Sequence, residues 1–330
     1  MGCGMSRIHD DVHKSMTVLV LGPKSSGKST LIKRAQMAFR PLDDNVRRTW
    51  AAPVRATLLE TLREVCNVTQ ETAKLAPALL TPKHAAFLNS LNMDPGLNQE
   101  AATMVEVMFR NGAMQLFYEI SRMEPYSGDT KFVRDAVQRA CKPDFMPTDL
   151  DVLLCSWSTR GFHQTDVAVN SKSYIRFIDV GGSVEEQRKW AQAATLQFNE
   201  IIFVIPLDSV LKILADGTAQ IDQDLGLLRR TLTQPGVRER SVFVFLTKRD
   251  RLESAATAEM LEAAQRVIAK EGEQMTTTKD VVAIVEKRIQ KIYEECQVTY
   301  RGLCMFDCVA ADSEPNDTIR HFVSEFLNKS

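Results

Sequence analysis

The sequence predicts an α/β fold with a mostly parallel, doubly wound sheet, interrupted by an inserted all-helical domain. Short apolar runs rich in β-branched residues alternate with helical patterns, and this alternation is typical of a parallel sheet. One long interval breaks the rhythm, because its apolar residues recur only at helical spacing. A chain of 330 residues is long enough for one large domain or two ordinary ones.

Five apolar runs predict the strands of the sheet. They are residues 16–21, 174–178, 201–207, 241–246 and 303–306. Helical patterns lie between them, of which the first covers residues 30–39 and the longest covers residues 255–293. The alternation therefore predicts helices on both faces of the sheet.

Residues 43–165 read as helical throughout. Val54, Leu58, Leu62 and Val65 recur at helical spacing, and prolines such as Pro53 are expected to separate the segments. The predicted organisation is an N-terminal segment 1–15, an α/β domain made of 16–42 and 166–330, and a helical insertion 43–165.

Composition limits the classes of partner. The net charge is −1, so no global basic surface indicates a nucleic acid. Seven cysteines show neither CxxC pairs nor metal-ligand spacing with the five histidines, which is typical of reduced, intracellular thiols. The apolar runs are too short to cross a bilayer, and a secretory signal pattern is absent.

The first six residues, MGCGMS, fit a lipidation pattern. It predicts myristoylation of Gly2 and palmitoylation of Cys3, and two acyl chains give stable anchoring where one does not. A chance match is the alternative, because the pattern fixes few positions. The expected location is the cytoplasmic face of the plasma membrane, with a cytosolic pool.

A phosphate-binding loop directly follows the first predicted strand. The segment from Gly22 to Ser29 reads GxxxxGKS between a strand and a helix, which is the P-loop pattern. Its backbone N–H groups and the helix N-terminus are expected to hold phosphate oxygens. Lys28 is expected to reach the β- and γ-phosphates, and the Ser29 hydroxyl to bind Mg²⁺. The residues predicted to contact nucleotide here are Gly22, Pro23, Lys24, Ser25, Ser26, Gly27, Lys28, Ser29 and Thr30.

A second motif, Asp179-Val180-Gly181-Gly182, ends the strand 174–178. An acid at this place beside a P-loop is expected to hold Mg²⁺ through water. The glycines allow a backbone N–H, that of Gly182, to approach the γ-phosphate. In isolation the motif is typical of an ordinary turn. Its position between the P-loop and the next motif is what favours a role at the nucleotide.

The third motif is Thr247-Lys248-Arg249-Asp250, directly after the strand 241–246. The Asp250 carboxylate is suited to accept two hydrogen bonds from guanine N1–H and the 2-amino group, and charged bidentate bonds of this kind are strong. The stem of Lys248 is expected to lie over the ring. The alternative is a solvated charge cluster at a strand end.

In this order the motifs resemble those of heterotrimeric G-protein α subunits, over residues 22–327. The resemblance implies a Ras-like P-loop GTPase domain with a helical insertion, GTP or GDP with Mg²⁺ as ligands, and a membrane-attached switch that couples receptor or partner input to effectors. Asp151-Val152-Leu153 with Thr159 and Gly161 is similar to the first switch, and residues 179–190 to the second. By resemblance the nucleotide site also includes Asp129, Thr130, Leu153, Thr159, Cys308, Val309 and Ala310, and Thr159 joins Ser29 and Asp179 at the metal.

Three serines replace the residues of the family that act on the γ-phosphate. Ser156 stands at the position of an arginine, Ser183 at that of a glutamine, and Ser25 at that of a P-loop glutamate. A serine hydroxyl is uncharged and too short to reach the γ-phosphate or the attacking water. In G-protein α subunits and Ras themselves, such an arginine contributes about 10³–10⁵ in rate. Arg160, four residues beyond Ser156, is a candidate substitute.

We therefore expect slow GTP hydrolysis, with Lys28, Thr159 and Gly182 as the remaining catalytic residues and serines at 156 and 183. The alternative is a non-hydrolysing pseudo-GTPase scaffold that uses GTP as a structural ligand. A P-loop kinase or ATPase is a further alternative, which the guanine-specific Asp250 disfavours.

Other departures concern the base and the partners. Thr247 replaces an asparagine and offers fewer hydrogen bonds, so GTP affinity is expected to fall modestly. The resemblance implies a βγ dimer and a G-protein-coupled receptor as partners, although the short N- and C-terminal segments weaken both expectations. An effector is expected to bind the second switch around Trp190, and no nucleic acid is expected.

Overall fold

The computed structural model describes residues 14–71, 82–91, 97–116, 130–155, 161–190, 197–238, 240, 242–256, 258–268, 273–298, 303–306 and 319–324. The chain divides into two compact units, of which one combines Met1–Pro41 with Thr159–Ser330 and the other is Leu42–Ser158. The boundaries between the two units therefore fall after residues 41 and 158, whereas the sequence pattern predicts them after residues 42 and 165. Among the described residues, no helix has the length and apolar character needed to span a membrane.

In the part of the chain that the structure describes, six strands form one sheet in the order β2-β3-β1-β4-β5-β6. Neighbouring strands run parallel except β2 and β3, which are antiparallel. The strands are β1 (Lys14–Leu21), β2 (Phe162–Asn170), β3 (Ser173–Val180), β4 (Glu200–Pro206), β5 (Val242–Thr247) and β6 (Leu303–Phe306).

Eleven α-helices with named bounds lie within the described residues, beside further helical stretches at 113–116, 207–211 and 319–324. The helices of the α/β unit are α1 (Lys28–Phe39), α7 (Val184–Gln187), α8 (Gln220–Leu232), α9 (Arg249–Ala255), α10 (Ala258–Ile268) and α11 (Thr278–Cys296). Those of the helical unit are α2 (Asp44–Glu71), α3 (Pro82–Ser90), α4 (Gln99–Arg110), α5 (Thr130–Ala140) and α6 (Asp149–Leu154).

The central strands are buried on both faces, as their continuous apolar runs predict. Leu19 and Leu21 of β1 pack in the same cluster as residues of α8, α10 and α11. Val18 and Val20, which point to the opposite face, pack with α1 and with the helical residues 319–323. Helices therefore cover both faces, and the prediction of a doubly wound sheet is confirmed.

Three parts of the secondary-structure prediction were wrong. Residues 162–165 belong to β2 and are not helical. The stretch 255–293 is not one helix, because α10 ends at Ile268 and α11 begins after Thr277. Thr277 and Asp280 form a capping box there, which satisfies backbone groups at the new helix start. Pro53 lies inside α2 and does not end a segment.

The helical unit has its own apolar core. Val54, Leu58, Leu62 and Val65 are completely buried on one face of α2, as their spacing predicts. They pack with residues of α3, α4 and α5 in a single cluster. This segment can therefore bury apolar surface without contributing to the sheet.

A buried acid fixes the start of α6. The Asp151 carboxylate accepts hydrogen bonds from Thr148 N and Thr148 Oγ1, both at 2.8 Å, and from Arg139 Nη2 at 2.6 Å. We expect Asp151→Ala to lower the free energy of unfolding by about 2–4 kcal/mol, because it removes a cap and a charged hydrogen bond. Urea unfolding of the full chain measures this loss.

Asp149→Ala is the matched control for that substitution. Asp149 is also an acid in the first turn of α6, but it is half exposed and forms an ion pair with Arg47 at the surface. Such pairs contribute at most about 1 kcal/mol. Equal losses for the two variants would contradict the importance assigned to Asp151.

Candidate nucleotide-binding site

The P-loop connects β1 to α1 and depends on two glycines. Gly22 has φ +147°, and a Cβ there would lie 2.4 Å from the Val204 carbonyl oxygen. Gly27 has φ +96° and precedes the first helical residue. Together with Ser25, at φ +58°, it turns the backbone through left-handed conformations that direct successive N–H groups to one side. The loop therefore has the backbone path that an anion site at a helix N-terminus needs.

Lys28 is buried beneath this loop, with 6% of its surface exposed. Its Nζ donates hydrogen bonds to Gly22 O at 3.0 Å and to Pro23 O at 2.8 Å. An ammonium group has three donors, so one proton remains for a phosphate oxygen. Burial lowers the pKa of Lys28 to about 8, and the Asp179 carboxylate opposes that shift.

Two of the three residues expected at the metal, Ser29 and Asp179, lie together. The Ser29 hydroxyl donates to Asp179 Oδ2 at 2.6 Å, although 150 residues separate them in the chain. The pairing of Val20 with Asp179 between β1 and β3 brings the end of β3 beside the P-loop. A hydroxyl and a carboxylate are hard oxygen donors of the kind that Mg²⁺ prefers, so these residues fit that ion.

Gly182 lies directly against the P-loop. A Cβ at this position would be 2.6 Å from Gly22 O, from Lys28 Nζ and from the Pro23 carbonyl carbon. Real Cβ atoms do not approach backbone this closely, so only glycine fits. The close approach brings the Asp179–Gly182 motif to the same edge of the sheet as Lys28.

Ser183 uses its side chain locally. Its Oγ accepts a hydrogen bond from Glu186 N at 3.4 Å, as the N-cap of α7. N-cap serines satisfy a backbone N–H that would otherwise lack a partner. The hydroxyl at the position of the usual glutamine is therefore engaged in the helix that follows it.

Trp190 is a core residue of the α/β unit. Only 2% of its surface is exposed, and its ring meets the Phe203 ring edge-on at a centroid distance of 6.2 Å. Val184, at the start of α7, is 68% exposed. Because the indole is buried, the effector-binding surface expected around Trp190 would have to consist of neighbouring side chains such as Val184.

The base-binding motif follows β5 and is tied to the P-loop. Thr247 is completely buried, and its Oγ1 donates to Ser26 O at 2.7 Å. This bond explains why a hydroxyl can occupy the position, because it joins the end of β5 to the phosphate-binding loop. The same bond directs the hydroxyl to the loop and away from any role in contacting the base.

Lys248 and Asp250 take different environments. Lys248 has φ +61°, and its Nζ lies 3.5 Å from Asp208 Oδ2. Burial lowers the pKa of Lys248 to about 8, and Asp208 opposes the shift. Asp250 lies in the first turn of α9 and is exposed, so its carboxylate is accessible to a ligand.

The sequence analysis missed two buried acids. Asp208 lies two residues beyond the end of β4 and pairs with Lys248 and Arg251; its place after the carboxyl end of a parallel strand was the available signal. Asp224, on α8, accepts a hydrogen bond from Gln220 and favours the charged form of Lys28. Burial raises the pKa of Asp224. No sequence pattern distinguished Asp224 from a solvated helix residue.

Several predicted residues lie elsewhere. Thr130 is the first residue of α5, and Leu153 is a buried residue of α6, both in the helical unit. Outside the described residues are Gly2, Cys3, Asp129, Ser156, Thr159, Arg160, Cys308, Val309 and Ala310.

Comparison with known proteins decides the family. The family model described as "G-protein alpha subunit" matches residues 6–325. The chain belongs to the G-protein α-subunit family. The Ras-like GTPase fold with a helical insertion, expected from the resemblance, is therefore confirmed. This family consists of GTP-binding switches in signal transduction.

One curated relative of this α-subunit family member is "Guanine nucleotide-binding protein G(s) subunit alpha" from Homarus americanus. The two sequences are 28% identical over 247 residues, which is 71% of this chain and 63% of the relative. The match thus spans less than two thirds of the relative.

Proposed function

We propose that the chain is a guanine-nucleotide switch of the G-protein α type, which binds GTP and GDP with Mg²⁺ and hydrolyses GTP slowly. One observation carries the proposal: where Gly182 meets the P-loop, the Ser29 hydroxyl bonds to Asp179, and Lys28 Nζ is held by the Gly22 and Pro23 carbonyls. A buried ammonium, a hydroxyl and a carboxylate at a helix N-terminus suit a magnesium-bound phosphate. Family membership and Asp250 support guanine as the base.

In the proposed site each residue has a separate task. The P-loop N–H groups and the third proton of Lys28 bind phosphate oxygens, and Gly182 N–H approaches the γ-phosphate. Ser29 and Asp179 would hold Mg²⁺, with Thr159 joining them by resemblance. The ion would neutralise charge that develops on the phosphates during transfer.

Slow hydrolysis follows from what the three serines lack. A serine at 156 supplies no positive charge, and the Ser183 hydroxyl is engaged as a helix cap. Ser25, in the P-loop, has no carboxylate with which to hold an arginine. Loss of the arginine alone accounts for about 10³–10⁵ in rate in this class of enzyme.

Single-turnover hydrolysis of pre-bound GTP tests this proposal. We expect the wild-type chain to hydrolyse GTP slowly, and Ser156→Arg combined with Ser183→Gln to raise the rate by about 10³-fold or more. Ser183→Ala is the matched control and should leave the rate unchanged, because the hydroxyl is not expected to act on water. A wild-type rate typical of ordinary G-protein α subunits would refute slow hydrolysis.

A non-hydrolysing scaffold is the second candidate function. The capping role of the Ser183 side chain favours it, because the hydroxyl has a structural partner already. A scaffold would bind GTP, show no turnover and keep its second switch in one state. Hydrogen exchange of residues 181–190 with GTP and with GDP separates the two, since a cycling switch gives different protection.

We further propose lipid attachment at Gly2 and Cys3, and therefore a position at the cytoplasmic face of the plasma membrane. Mass spectrometry of the N-terminal peptide from the native source decides this point. Partners of the family type, namely a βγ dimer, a receptor and an effector, are proposed on family membership. The exposed side chain of Val184 on the second switch is an apolar contact available to such a partner.

A further inference from the structure

Two side chains that follow Gly181 and Gly182 in the chain donate hydrogen bonds to the carbonyl groups of this glycine pair. Trp190 Nε1 donates to Gly181 O at 3.0 Å, and Gln187 Nε2 donates to Gly182 O at 3.0 Å. On the preceding side, Gly181 N donates to Gly161 O at 3.3 Å. The most flexible residue type is therefore fixed at three successive peptide groups.

The carbonyl bonds determine where the amides point. The Gly181 carbonyl and the Gly182 N–H belong to one planar, trans peptide group, so they point in opposite directions. Holding Gly181 O on the indole of Trp190 consequently fixes the direction of Gly182 N–H. In the same way, Gln187 fixes the direction of Ser183 N–H through Gly182 O.

The amide fixed in this way lies beside the phosphate site. Gly182 packs so closely on the P-loop that a Cβ would lie 2.6 Å from Lys28 Nζ. Lys28 is the residue expected to reach the β- and γ-phosphates. An N–H whose direction is set in advance binds an anion without further ordering, which increases affinity.

We propose that Trp190 and Gln187 are positioning residues that aim the Gly182 amide at the γ-phosphate and so give the site its preference for a triphosphate over a diphosphate. This inference rests on the proposed function. Trp190 contributes more than Gln187, because its bond is buried whereas that of Gln187 is part-buried and water can replace it. A buried acceptor left without its donor is the costlier loss.

Equilibrium binding to the purified full chain tests the proposal, with Mg²⁺ and two probes, a non-hydrolysable GTP analogue and GDP. Trp190→Phe keeps an aromatic ring and deletes the N–H. We expect it to raise the Kd for the analogue on the order of ten-fold and to change the Kd for GDP less than two-fold. GDP lacks the γ-phosphate, so its Kd reports the rest of the pocket.

Gln187→Met gives a second measurement that does not depend on the folding of the tryptophan variant. It keeps side-chain length and deletes the donor, and we expect a smaller selective loss of about three-fold for the analogue. Gln187→Arg restores a donor and should restore the wild-type ratio of the two Kd values. Arg188→Met, at the neighbouring exposed position, is the matched control and should change neither value.

Two results would overturn the proposal. Equal weakening of both probes would mean that Trp190 and Gln187 only support the fold. Unchanged binding of both probes would mean that the amide needs no positioning. If the wild-type chain bound neither probe, the proposed function would fail first, and that failure is visible before any variant is made.

Discussion

Asp250→Asn is expected to lower the affinity for GTP by about 10²–10⁴-fold. Two hydrogen bonds from guanine to a carboxylate would be lost or weakened, and bonds to charged groups contribute about 1.5–3 kcal/mol each, with ten-fold in Kd for every 1.4 kcal/mol. Asparagine presents an NH₂ donor that faces the guanine 2-amino donor. Xanthine carries an oxygen at that position, so the variant should bind xanthosine triphosphate more tightly than GTP.

Competition between the two triphosphates on the purified chain measures this reversal. Asp250 is exposed in the first turn of α9, so the substitution should leave the unfolding transition nearly unchanged. Glu253→Gln, one turn further along the same helix and also exposed, is the matched control with an expected change of less than two-fold. Undiminished GTP affinity in Asp250→Asn would show that the base is read elsewhere.

The sheet was predictable where strands are buried on both faces. The runs that became β1, β4 and β5 are apolar at almost every position, since side chains of both faces meet helices. β2 was missed because it lies at the edge of the sheet and only Val167 is buried. The period-two signal is short, because only Val167 and Val169 are apolar on the covered face, and the pairing of β2 with β3 is a tertiary interaction.

The phosphate side of the site was predictable for a different reason. A P-loop is contiguous in sequence. Its glycines therefore predict the backbone path, and Lys28 and Ser29 predict the contacts with phosphate and Mg²⁺. What joins it to the rest is not local. Thr247 contacts Ser26 across 221 residues, and Asp208 meets Lys248 across 40. Such pairs depend on strand order, which no local pattern contains.

The second switch shows the limit of resemblance. The motif identified Ser183 and Trp190 by position, but not what their side chains contact. Ser183 caps α7, and Trp190 is buried against Phe203 and bonded to Gly181. These contacts depend on the packing of the second switch against β4, so only a three-dimensional structure could assign them.

Lys28→Met should abolish most phosphate binding and also remove a pH dependence. The wild-type Lys28 ammonium is charged below its pKa of about 8, which burial has lowered. A bound phosphate stabilises the charged form and raises that pKa again, so binding above pH 8 takes up a proton. Affinity for GTP should therefore be constant below pH 8 and fall by up to about ten-fold per pH unit above it.

The substitution replaces a buried cation by an apolar side chain of similar length. Breaking a buried charge interaction costs about 3–5 kcal/mol, so we expect the Kd for GTP at pH 7 to rise by about 10²–10³-fold. Lys172→Met makes the same change at an exposed position between β2 and β3, outside the P-loop, and should alter the Kd less than three-fold. Titrations from pH 7 to pH 9.5 on both variants and the wild type then isolate the Lys28 contribution.

Lys248, whose pKa is also lowered to about 8, is retained in all three proteins, so its effect cancels in the comparison. A steep loss of affinity above pH 8 that persists in Lys28→Met would assign the pH dependence to the base side of the pocket and remove Lys28 from the phosphate.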